Sequence, residues 1–476
     1  MLHSLLREKF SDKNIILLGF GVSNIPVARE FLAAGMGASV TVRDMKPFSE
    51  LGDTAREFAE AGVNFECGSE PTKNFTCDTS RAVIFRSPGI RPDAGDLTAA
   101  IESGAILTSE VEFFCEHTYA RIFAITGSDG KTTTSTLTSL ILKEGYKDGK
   151  IYLGGNIGTP LFPLLDEIGK NDICVLELSS FQLMTMDSRA THAAITNITP
   201  NHLNWHIDMN EYAEAKYNVN GRYTWRLVLN ATDAYSRPLA EYIGKPKILF
   251  SAYRDSYESL CDGIDGADGI FLRDGQIVYS DGKNEEILLN TSDIKIPGVH
   301  NIENYMTAIA LTYGISEKDA AVRVAKTFGG VAHRLELVRE KDGVKYYNSS
   351  IDSSPTRTIA ALSTFKNKPT LIVGGRGKKT PYEGLARELY LRAGAVILTG
   401  ETADEVSEAL ASVASEYPDS DLRILLEEDF AACVKLAESV TPAGSAVVLS
   451  PAATSFDKFK NFAERGEVFK EIVKNL

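Results

Sequence analysis

Residues 121–142 (RIFAITGSDGKTTTSTLTSLIL) pass from an apolar run through two glycines and a lysine into a threonine-rich segment. The apolar run is short and ends at a glycine, which predicts a buried strand, and the segment after the lysine predicts a helix. A strand, a glycine turn and a helix in this order predict a βαβ unit and a parallel sheet. Because ligands bind such sheets beyond the carboxyl ends of their strands, the glycine turn is a candidate site.

The turn resembles a phosphate-binding loop but is shorter than the usual pattern G-x-x-x-x-G-K-[ST]. Gly130, Lys131 and Thr132 fit that pattern, whereas Ile125 stands where its first glycine would be. The first glycine is Gly127, so the loop reads G-x-x-G-K-T. Successive N–H groups at a helix start bind anions, a lysine there can reach phosphates, and a threonine hydroxyl can bind Mg²⁺. A solvated lysine on an ordinary turn remains the alternative.

The same alternation of short apolar runs and helical patterns occurs in three parts of the chain, 14–90, 121–200 and 369–451. Between the last two parts, residues 253–293 are rich in Gly, Asp and Ser and predict hairpins. The length of 476 residues predicts about three domains at roughly 150 residues each. We therefore predict an α/β protein of three domains, with boundaries 1–109, 110–326 and 327–476.

The net charge of −14 and the six cysteines narrow the function classes. An acidic chain is a poor general binder of nucleic acid or anionic membranes, although a local basic pocket can hold phosphates. The cysteines form no C-x-x-C and lie at no zinc spacing from a histidine, which favours thiols in a reducing cytosol. No apolar run approaches about 18 residues and the N-terminus lacks an apolar signal segment, so we expect a cytoplasmic protein without membrane insertion.

A second glycine turn, LLGFGVSN (17–24), also follows a predicted strand and opens a predicted helix. Gly19 and Gly21 supply a tight turn that lets backbone N–H groups approach a phosphate. Asn24 stands where the dinucleotide pattern G-x-G-x-x-G has its third glycine, and Asp44 ends the next strand, where a ribose partner would lie. The pattern favours a nucleotide or its diphosphate over a hydride cofactor, and a glycine turn without a ligand remains the alternative.

Polar side chains follow two further predicted strands of the middle region. Glu177 ends one of them, where a carboxylate is well placed for Mg²⁺, a hard ion that prefers oxygen. The alternative is a glutamate that caps the next helix. His202 and His206 lie in a loop after the other strand, where zinc is not expected because no third soft ligand is near in sequence. Lys216 lies on a predicted helix and by itself would be assigned to the surface.

The last third of the chain contributes a polar loop, a basic glycine turn and a group of aromatic residues. The loop 348–358 (NSSIDSSPTRT) and the turn 374–379 (GGRGKK) each follow a predicted strand, and the segment 449–466 places Ser455 and Phe456 beside a third. The hydroxyl and basic groups of these loops can hold a small acidic substrate. Helical spacing predicts that some of the aromatic residues belong to the core.

Seven motifs occur in one order: ITGSDGKTTT, GGNIG (154–158), ELSSFQL (177–183), NHL…YAEAK, HNIEN (300–304), AHRLE (332–336) and LSPAATSFDKFKNFAERG. Over nearly the whole chain they resemble the Mur ligases, and within that family the members that add D-glutamate. The resemblance implies an N-terminal Rossmann-like domain for a UDP-sugar, a central P-loop-type ATPase domain and a C-terminal Rossmann-like domain. It implies ATP-dependent addition of D-glutamate to UDP-N-acetylmuramoyl-L-alanine through an acyl phosphate, in cytoplasmic peptidoglycan precursor synthesis. A monomer is expected.

Site residues of the family carry over where its motifs match this sequence. The implied ATP-binding residues are Gly127, Ser128, Asp129, Gly130, Lys131, Thr132, Thr133, Asn304 and Arg334. Two Mg²⁺ sites are implied, and their protein ligands would be Thr132, Glu177, His202 and a carbamate that CO₂ forms on Lys216. The implied catalytic residues are Lys131, Glu177, His202 and Lys216.

The resemblance also implies substrate contacts in three places. The uridine nucleotide would meet Ser23, Asp44, Ser87 and Gly89. Substrate-side positions in the central domain are Asn156 and Ser179. D-Glutamate would meet Ser455, Phe456, Phe462 and Lys378.

The sequence departs from the family pattern near the metal histidine and in the third predicted domain. Asn201 precedes His202 where the family often has Asp, and different residues also follow that histidine. Ser349 stands where the family has an Asp that contacts ATP. Asp352, three residues further on, is a carboxylate that could take its place. Ile351 replaces a lysine that some members carry.

Other functions remain open at this point. A folylpolyglutamate-type ligase is disfavoured because a UDP-type domain precedes the predicted ATPase domain. A Mur ligase for a diamino acid is disfavoured because the sequence has no Asp-Asn-Pro-Arg stretch. A nucleotide-binding homologue that no longer catalyses is conceivable because of Ser349. A dehydrogenase would need NAD(H) at Gly19 and Gly21, which the missing third glycine argues against.

Overall fold

A computed structural model of the protein describes residues 2–377 and 380–476. Over these residues the strands form three sheets, of five, nine and six strands. The predominantly parallel pairing and the helices between the strands confirm the predicted α/β class. Contacts divide the chain into two compact units, Met1–Ile294 with Val299–Lys326, and Lys295–Gly298 with Thr327–Leu476. The first two sheets lie in the first unit and the third sheet in the second; the three-domain boundaries themselves remain predictions.

The first sheet is parallel throughout. Its strands are β1 (Asn14–Leu18), β2 (Val40–Asp44), β3 (Asn64–Cys67), β4 (Ala82–Arg86) and β5 (Ile106–Thr108). The helices around it are α1 (Leu2–Phe10), α2 (Asn24–Ala33), α3 (Asp53–Glu60), α4 (Leu97–Glu102) and α5 (Glu110–His117). The strand order is β3-β2-β1-β4-β5, so the chain adds β2 and β3 on one side of β1 and then β4 and β5 on the other. The turns after β1 and β4 therefore lie side by side at the carboxyl edge of the sheet.

The second sheet is parallel in its centre and antiparallel at one edge. Its strands are β6 (Arg121–Thr126), β7 (Ile151–Gly155), β8 (Ile173–Glu177), β9 (His192–Ile195), β10 (Arg226–Asn230), β11 (Lys247–Ser251), β12 (Ala267–Arg273), β13 (Gln276–Ser280) and β14 (Glu285–Asn290). Its helices are α6 (Lys131–Gly145), α7 (Ser180–Leu183), α8 (Met209–Tyr217), α9 (Ser236–Tyr242), α10 (Tyr257–Cys261), α11 (Val299–Thr312) and α12 (Ala320–Ala325). The order is β14-β13-β12-β11-β10-β9-β6-β8-β7, and the predicted hairpins are the antiparallel strands β12 to β14.

The central strands β8 and β9 of the second sheet are buried along their whole length because both faces are covered. Every residue of β8 and β9 is buried, which is the usual state of an inner parallel strand. The same core continues into the first sheet. The ring of Phe162 lies 6.4 Å from that of Phe85 in β4 and 5.2 Å from that of Phe113 in α5. This shared apolar packing explains why the two sheets belong to one compact unit.

The third sheet is parallel except at one edge. Its strands are β15 (Glu336–Lys341), β16 (Val344–Asn348), β17 (Thr370–Gly374), β18 (Ala395–Thr399), β19 (Arg423–Leu426) and β20 (Ala446–Leu449). Its helices are α13 (Pro355–Leu362), α14 (Glu383–Arg392), α15 (Ala403–Val413), α16 (Phe430–Val440) and α17 (Phe462–Lys474). The order is β15-β16-β20-β17-β18-β19, with β15 antiparallel to β16. As predicted, one of the aromatic residues of segment 449–466 packs into the core: the ring of Phe459 lies 5.1 Å from that of Phe430.

Along the described ranges, no helix has both the length and the apolar character that a membrane crossing requires.

Candidate active site

Three chain segments meet at the carboxyl edge of the second sheet. Strand β6 lies between β8 and β9, and Ile125 of β6 is in register with Glu177 of β8, while Thr126 is in register with Ile195 of β9. The loop 127–130, the end of β8 and the loop after β9 are therefore neighbours. This is the edge at which parallel sheets bind ligands.

The short loop 127–130 is held in place by the segment that follows β9. The Ser128 N–H donates to the carbonyl of Asn197 at 2.8 Å, and the Ser128 hydroxyl donates to the carbonyl of Thr199 at 2.9 Å. The Asp129 N–H donates to the Asn197 side chain at 3.0 Å. These contacts leave Asp129 exposed at the loop tip.

Two glycines of this loop are required by its shape. Gly127 has φ 151° and Gly130 has φ 78°, values that residues with a Cβ rarely adopt. A Cβ on Gly127 would also overlap the Thr196 hydroxyl, and a Cβ on Gly130 would overlap the amide oxygen of Asn304. Gly130 is followed directly by α6, so its turn presents the helix N-terminus and its N–H groups to a ligand.

Two lysines converge on one carbonyl of the loop. Lys131 donates to the carbonyls of Gly127 at 2.9 Å and Ser128 at 2.8 Å, and Lys216 donates to the carbonyl of Gly127 at 2.8 Å. Lys216 is only 1% exposed, and its ammonium group lies 4.5 Å from the ring centre of Tyr212. Burial, with a further contribution from the charge of Lys131, lowers the pKa of Lys216 well below its usual value. The assignment of Lys216 to the surface, which its sequence context alone suggested, is wrong.

Glu177 places one unsatisfied carboxylate oxygen at this edge. Its side chain is buried, and the Asn156 amide donates to Oε1 at 2.8 Å. Its Oε2 atom has no hydrogen-bond partner among the described residues. A buried, unsatisfied carboxylate oxygen is costly, and a bound cation would satisfy it.

The alternative role of Glu177, a cap on the next helix, is excluded by the cap that α7 already has. Ser179 is the N-cap: its hydroxyl accepts from the Gln182 N–H at 3.3 Å, and its own N–H donates to the Gln182 side chain at 2.9 Å. This capping box occupies Ser179, whose predicted contact with substrate remains a prediction.

His202 lies in the loop after β9 with a left-handed backbone, φ 56°. Its ring is 4.9 Å from that of Phe181. Burial, followed by the charges of Lys131 and Lys216, lowers the pKa of His202. A neutral imidazole is the form that binds metals. Across residues 2–377 and 380–476, no group of three or more His, Cys, Asp or Glu side chains could by itself hold a metal ion.

A pocket of about 350 Å³ opens beside the loop tip. It is lined by Asp129, Gly130, Thr196, Asn197, Phe250, His300, Glu303, Asn304 and Thr307. The predicted residue Asn304 is fixed there because its side-chain oxygen accepts from the Thr134 hydroxyl of α6 at 3.2 Å. No motif in the sequence marked Phe250. Glu303 lies within the HNIEN motif but was not among the predicted site residues.

The turn of the first sheet is built around Asn24. Its buried amide donates to the carbonyls of Leu18 at 2.9 Å and Gly19 at 3.0 Å, and it lies 3.3 Å from the hydroxyl of Ser87. Asp44 accepts from the Phe20 N–H at 2.7 Å. The structure therefore brings the predicted nucleotide residues Asp44 and Ser87 to the same turn. Ser23 and Gly89 lie at the ends of the two adjacent turns.

In the second unit, Arg334 lies on a strained turn. His333 and Leu335, on either side of it, have φ values of 63° and 43°. The N–H of Leu335 donates to the hydroxyl of Ser349 at 3.1 Å. Asp352 is buried and accepts from the Ser450 hydroxyl at 2.8 Å. Ser349 thus shapes the Arg334 turn, and ATP contacts by Arg334 or Asp352 remain predictions.

The predicted amino-acid residues of the second unit lie near a buried arginine that sequence reasoning missed. Ser455 is buried, whereas Phe456 and Phe462 are 58% and 40% exposed. Arg465 is 2% exposed and donates to the carbonyl of Thr454 at 3.1 Å, which orders the backbone before Ser455. Its only sequence signal was its place in the AERG end of the last motif. Lys378 lies outside the described residues.

Comparison with known proteins gives matches along the whole chain. Residues 125–312 match the family described as Mur ligase middle domain, and residues 333–453 match the family described as Mur ligase, glutamate ligase domain. A protein of Ruminiclostridium cellulolyticum named UDP-N-acetylmuramoylalanine--D-glutamate ligase is 40% identical over 474 residues, which cover 99% of this chain and 98% of that protein. The protein of the same name from Clostridium perfringens is 41% identical with the same coverage.

Among solved structures, MurF from Acinetobacter baumannii has a TM-score of 0.57 and 15% identity to this chain. The match covers 99% of this chain and 98% of that one. It shows that the two chains share a fold.

Proposed function

The chain belongs to the Mur ligase family, and we propose that it joins the amino group of D-glutamate to the carboxylate of UDP-N-acetylmuramoyl-L-alanine. The family assignment confirms the resemblance that the seven motifs indicated. The chain is accordingly an ATP-dependent amide ligase of peptidoglycan precursor synthesis. We propose that it works in the cytoplasm as a monomer.

The observation that carries the proposal is the pair of lysines on the Gly127 carbonyl, at the same sheet edge as Glu177, whose Oε2 atom has no partner among the described residues. The ammonium group of Lys131 and the N-terminus of α6 form a cationic site for the phosphates of ATP. Lys131, Thr132 and Thr133 stand at the first turn of that helix. In phosphoryl transfer the protein mainly positions the groups and neutralises charge, and this is the work these residues can do.

The residues at the sheet edge fit Mg²⁺. The Oε2 atom of Glu177 is buried and finds no partner in residues 2–377 and 380–476, and carboxylate oxygen is the ligand that Mg²⁺ prefers. We propose that Thr132, Glu177 and His202 hold Mg²⁺ ions together with the phosphates. The metal would neutralise the charge of the transferring phosphoryl group. Asn156 orients the carboxylate through its bond to Oε1.

We propose that Lys216 carries a carbamate that supports a second Mg²⁺. The ammonium group first loses a proton. The neutral amine then attacks CO₂, forms an N–C bond and releases a second proton, so that a cationic side chain becomes an anionic one. A lysine of lowered pKa is partly neutral and can react in this way. The test is NMR of the protein in isotopically labelled bicarbonate. A carbamate signal that is absent in Lys216→Arg supports the proposal, and equal spectra for both proteins would reject it.

The remaining predicted residues are assigned to three ligand parts. The pocket beside Gly130 would take the adenosine of ATP, with Asn304 as one contact, and Arg334 is the proposed ATP contact of the second unit. The turns of the first sheet would face the uridine nucleotide through Ser23, Asp44, Ser87 and Gly89. D-Glutamate would meet Ser455, Phe456, Phe462 and Lys378 in the second unit.

The reaction proceeds in two steps. The carboxylate of the UDP-substrate attacks the γ-phosphorus of ATP, which forms an acyl phosphate and releases ADP. The amine of D-glutamate then attacks the acyl carbon through a tetrahedral intermediate, a proton leaves the nitrogen, and inorganic phosphate departs. Lys131 would stabilise the negative charge on the phosphoryl group as it moves.

Phosphate release measured with a matrix of substrates tests the function. Release should require ATP, UDP-N-acetylmuramoyl-L-alanine and D-glutamate together, and L-glutamate should not replace the D-form. Release with folate and L-glutamate would instead indicate a folylpolyglutamate-type ligase. Binding of the UDP-substrate without release under any condition would indicate a homologue that no longer catalyses, the alternative to which Ser349 points.

A further inference from the structure

The turn 87–90, which follows β4, is attached to the second sheet by an arginine at each end. Arg86, 1% exposed, donates to the carbonyl of Ile90 at 2.6 Å and so closes the turn. Its second terminal nitrogen, Nη2, donates to the carbonyl of Phe181 in α7 at 2.8 Å and to the hydroxyl of Thr185 at 3.2 Å. Helix α7 begins three residues after Glu177, so the first arginine links the turn to the segment after the proposed metal carboxylate.

Arg91, at the other end of the turn, is bound to α8. It donates two hydrogen bonds to the carboxylate of Glu211, at 2.9 and 3.1 Å, and two to that of Asp93, at 2.8 and 2.9 Å. A fifth bond, of 2.6 Å, goes to the carbonyl of Trp205. Helix α8 begins two residues before Glu211 and carries Lys216 near its end.

Trp205 adds a direct connection between the turn and the loop that carries His202. Its indole N–H donates to the carbonyl of Gly89 at 2.9 Å, and Arg91 lies 5.1 Å from the centre of its ring. The Trp205 N–H in turn donates to the carbonyl of His202 at 2.9 Å. A shift of the turn would therefore move this loop.

His206 connects the same carboxylate to α7. Its ring nitrogen Nδ1 lies 3.0 Å from Glu211 and Nε2 lies 2.9 Å from the hydroxyl of Ser180. Because a carboxylate only accepts and burial lowers the pKa of His206, the neutral ring donates from Nδ1 to Glu211 and accepts from Ser180 at Nε2. The chain of bonds Arg91–Glu211–His206–Ser180 thus joins the turn, α8 and α7.

This cluster differs from an ordinary surface ion pair. Arg91 and Glu211 are each only about one-fifth exposed, at 21% and 20%. The hydrogen bonds from Arg91, its largest influence, lower the pKa of Glu211 to about 2. Bidentate arginine–carboxylate pairs fix geometry as well as charge, whereas single exposed pairs contribute little.

We propose that Arg91 is a positioning residue that holds the His202 loop and the Lys216 helix in register with the substrate-side turn 87–90. The inference rests on the proposed function, because it assigns the turn to the UDP-substrate and His202 and Lys216 to the phosphoryl-transfer site. Arg91 transmits the position of one site to the other. It touches neither Lys131 nor the loop 127–130 through any bond to its own side chain among the described contacts.

The test is steady-state kinetics of Arg91→Ala with all three substrates. Misplacing reacting groups by about 1 Å costs on the order of 100-fold in rate. We expect kcat to fall about 10- to 100-fold while KM for ATP and for the UDP-substrate changes less than about threefold, because uniform binding is kept. Arg91→Lys, which cannot form both pairs of bonds, should fall between wild type and Arg91→Ala.

Arg387→Ala is the matched control. Arg387 makes a bidentate pair with Glu416, with both bonds 2.9 Å long, but it is 45% exposed and lies in the second unit. Its removal should leave kcat and KM unchanged. If Arg91→Ala does not fold, Arg91→Lys and Glu211→Gln decide the matter. Wild-type kcat in these folded variants overturns the proposal, and so does a rise in KM at constant kcat.

Fluorescence supplies a readout that does not need turnover. The chain has two tryptophans, so Trp225→Phe leaves Trp205 as the reporter. Arg91→Ala in this background should change the emission of the folded protein and its response to the UDP-substrate, and an unchanged response contradicts the proposal. Suppose that the protein with Arg91 shows no turnover, but its Trp205 emission still responds to the UDP-substrate and Arg91→Ala alters that response. The proposed function then fails, while the link between the turn 87–90 and the His202 loop stands.

Discussion

The glycine turns after β1 and β6 both follow a parallel strand, but different kinds of side chain donate hydrogen bonds to their backbone carbonyls. In the first, the neutral amide of Asn24 donates to the carbonyl of Leu18. In the second, the ammonium groups of Lys131 and Lys216 donate to the carbonyl of Gly127. Both turns lie at the carboxyl edge of a parallel sheet, so the backbone alone does not distinguish their ligands.

What distinguishes the turns is the ionisable side chains that reach them from elsewhere in the chain. Lys216 is 89 residues from Gly127, while the first turn meets the carboxylate of Asp44 through the N–H of Phe20. A cationic turn suits a triphosphate, and a turn beside a carboxylate suits the hydroxyl groups of a ribose. A glycine pattern thus predicts a ligand-binding turn, and the side chains that pack on it select the ligand.

Lys131→Ala tests the cationic turn and should have the largest effect. It removes the ammonium group that we propose stabilises the moving phosphoryl group. We expect kcat to fall about 10³-fold, measured by phosphate release, while binding of the UDP-substrate measured by calorimetry is retained.

Lys147→Ala is the control for this experiment. Lys147 also donates to a backbone carbonyl, that of Glu144, but it is 65% exposed and lies beyond α6. Its loss should leave kcat unchanged. An activity of Lys131→Ala close to that of Lys147→Ala would show that the turn after β6 does not act on phosphates.

The carboxylates beside the two turns differ as well, and Asn156→Ala tests that difference. Both oxygens of Asp44 accept backbone N–H groups, whereas one oxygen of Glu177 has no partner in the part of the chain that the structure describes. Asn156 donates to Oε1 of Glu177 and so fixes the orientation of Oε2. Loss of such an outer contact weakens metal binding about 10- to 100-fold, so the Mg²⁺ concentration needed for half-maximal rate should rise by that factor.

The matched control is Asn64→Ala, which removes an exposed amide that donates to the carbonyl of Ala38 at 3.3 Å. It should leave the Mg²⁺ dependence unchanged. A Mg²⁺ curve of Asn156→Ala that coincides with that of wild type would count against a metal at Glu177.

Local patterns predicted the turn after β6 well, because every part of it is continuous in sequence. The strand, the glycines and α6 lie within residues 121–145, and the parallel sheet follows from strand and helix alternation. Glu177 was found for the same reason, since a strand end is visible in the sequence. The motifs then connected these pieces to a family that the full-length relatives confirm.

The features that the sequence did not predict depend on tertiary packing between distant parts of the chain. The helix periodicity around Lys216 gave no sign of burial, because the burial comes from Tyr212 and from the loop 127–130, which is distant in sequence. The bond between Arg91 and Glu211 spans 120 residues and follows no motif. The sequence showed that Ser349 replaces an Asp of the family. It did not show the hydrogen bond from the Leu335 N–H to Ser349, which depends on how the end of β16 lies beside the Arg334 turn.

Asn24→Ala tests the neutral turn through stability. The mutation leaves the buried carbonyls of Leu18 and Phe85 without the amide donor that they have in the structure. The Leu18 carbonyl keeps its bond from the Ser87 N–H, so the loss is that of two buried hydrogen bonds at about 1 kcal/mol each. We therefore expect the free energy of unfolding in urea to fall by about 2 kcal/mol. Asn64→Ala again serves as the exposed control, and equal stability of the two variants would show that Asn24 does not fix the turn.

Asp44→Asn tests the ligand preference of the same turn and should have the smallest effect. The amide keeps one acceptor oxygen but loses the charge that strengthens hydrogen bonds to ribose hydroxyls. We expect KM for the UDP-substrate to rise about five- to tenfold, equivalent to roughly 1 kcal/mol, with kcat and KM for ATP unchanged. Asp53→Asn, on the exposed first turn of α3, should change none of these constants. A fall in kcat at constant KM would instead place Asp44 with the phosphoryl-transfer residues, and the contrast between a binding turn and a catalytic turn would be lost.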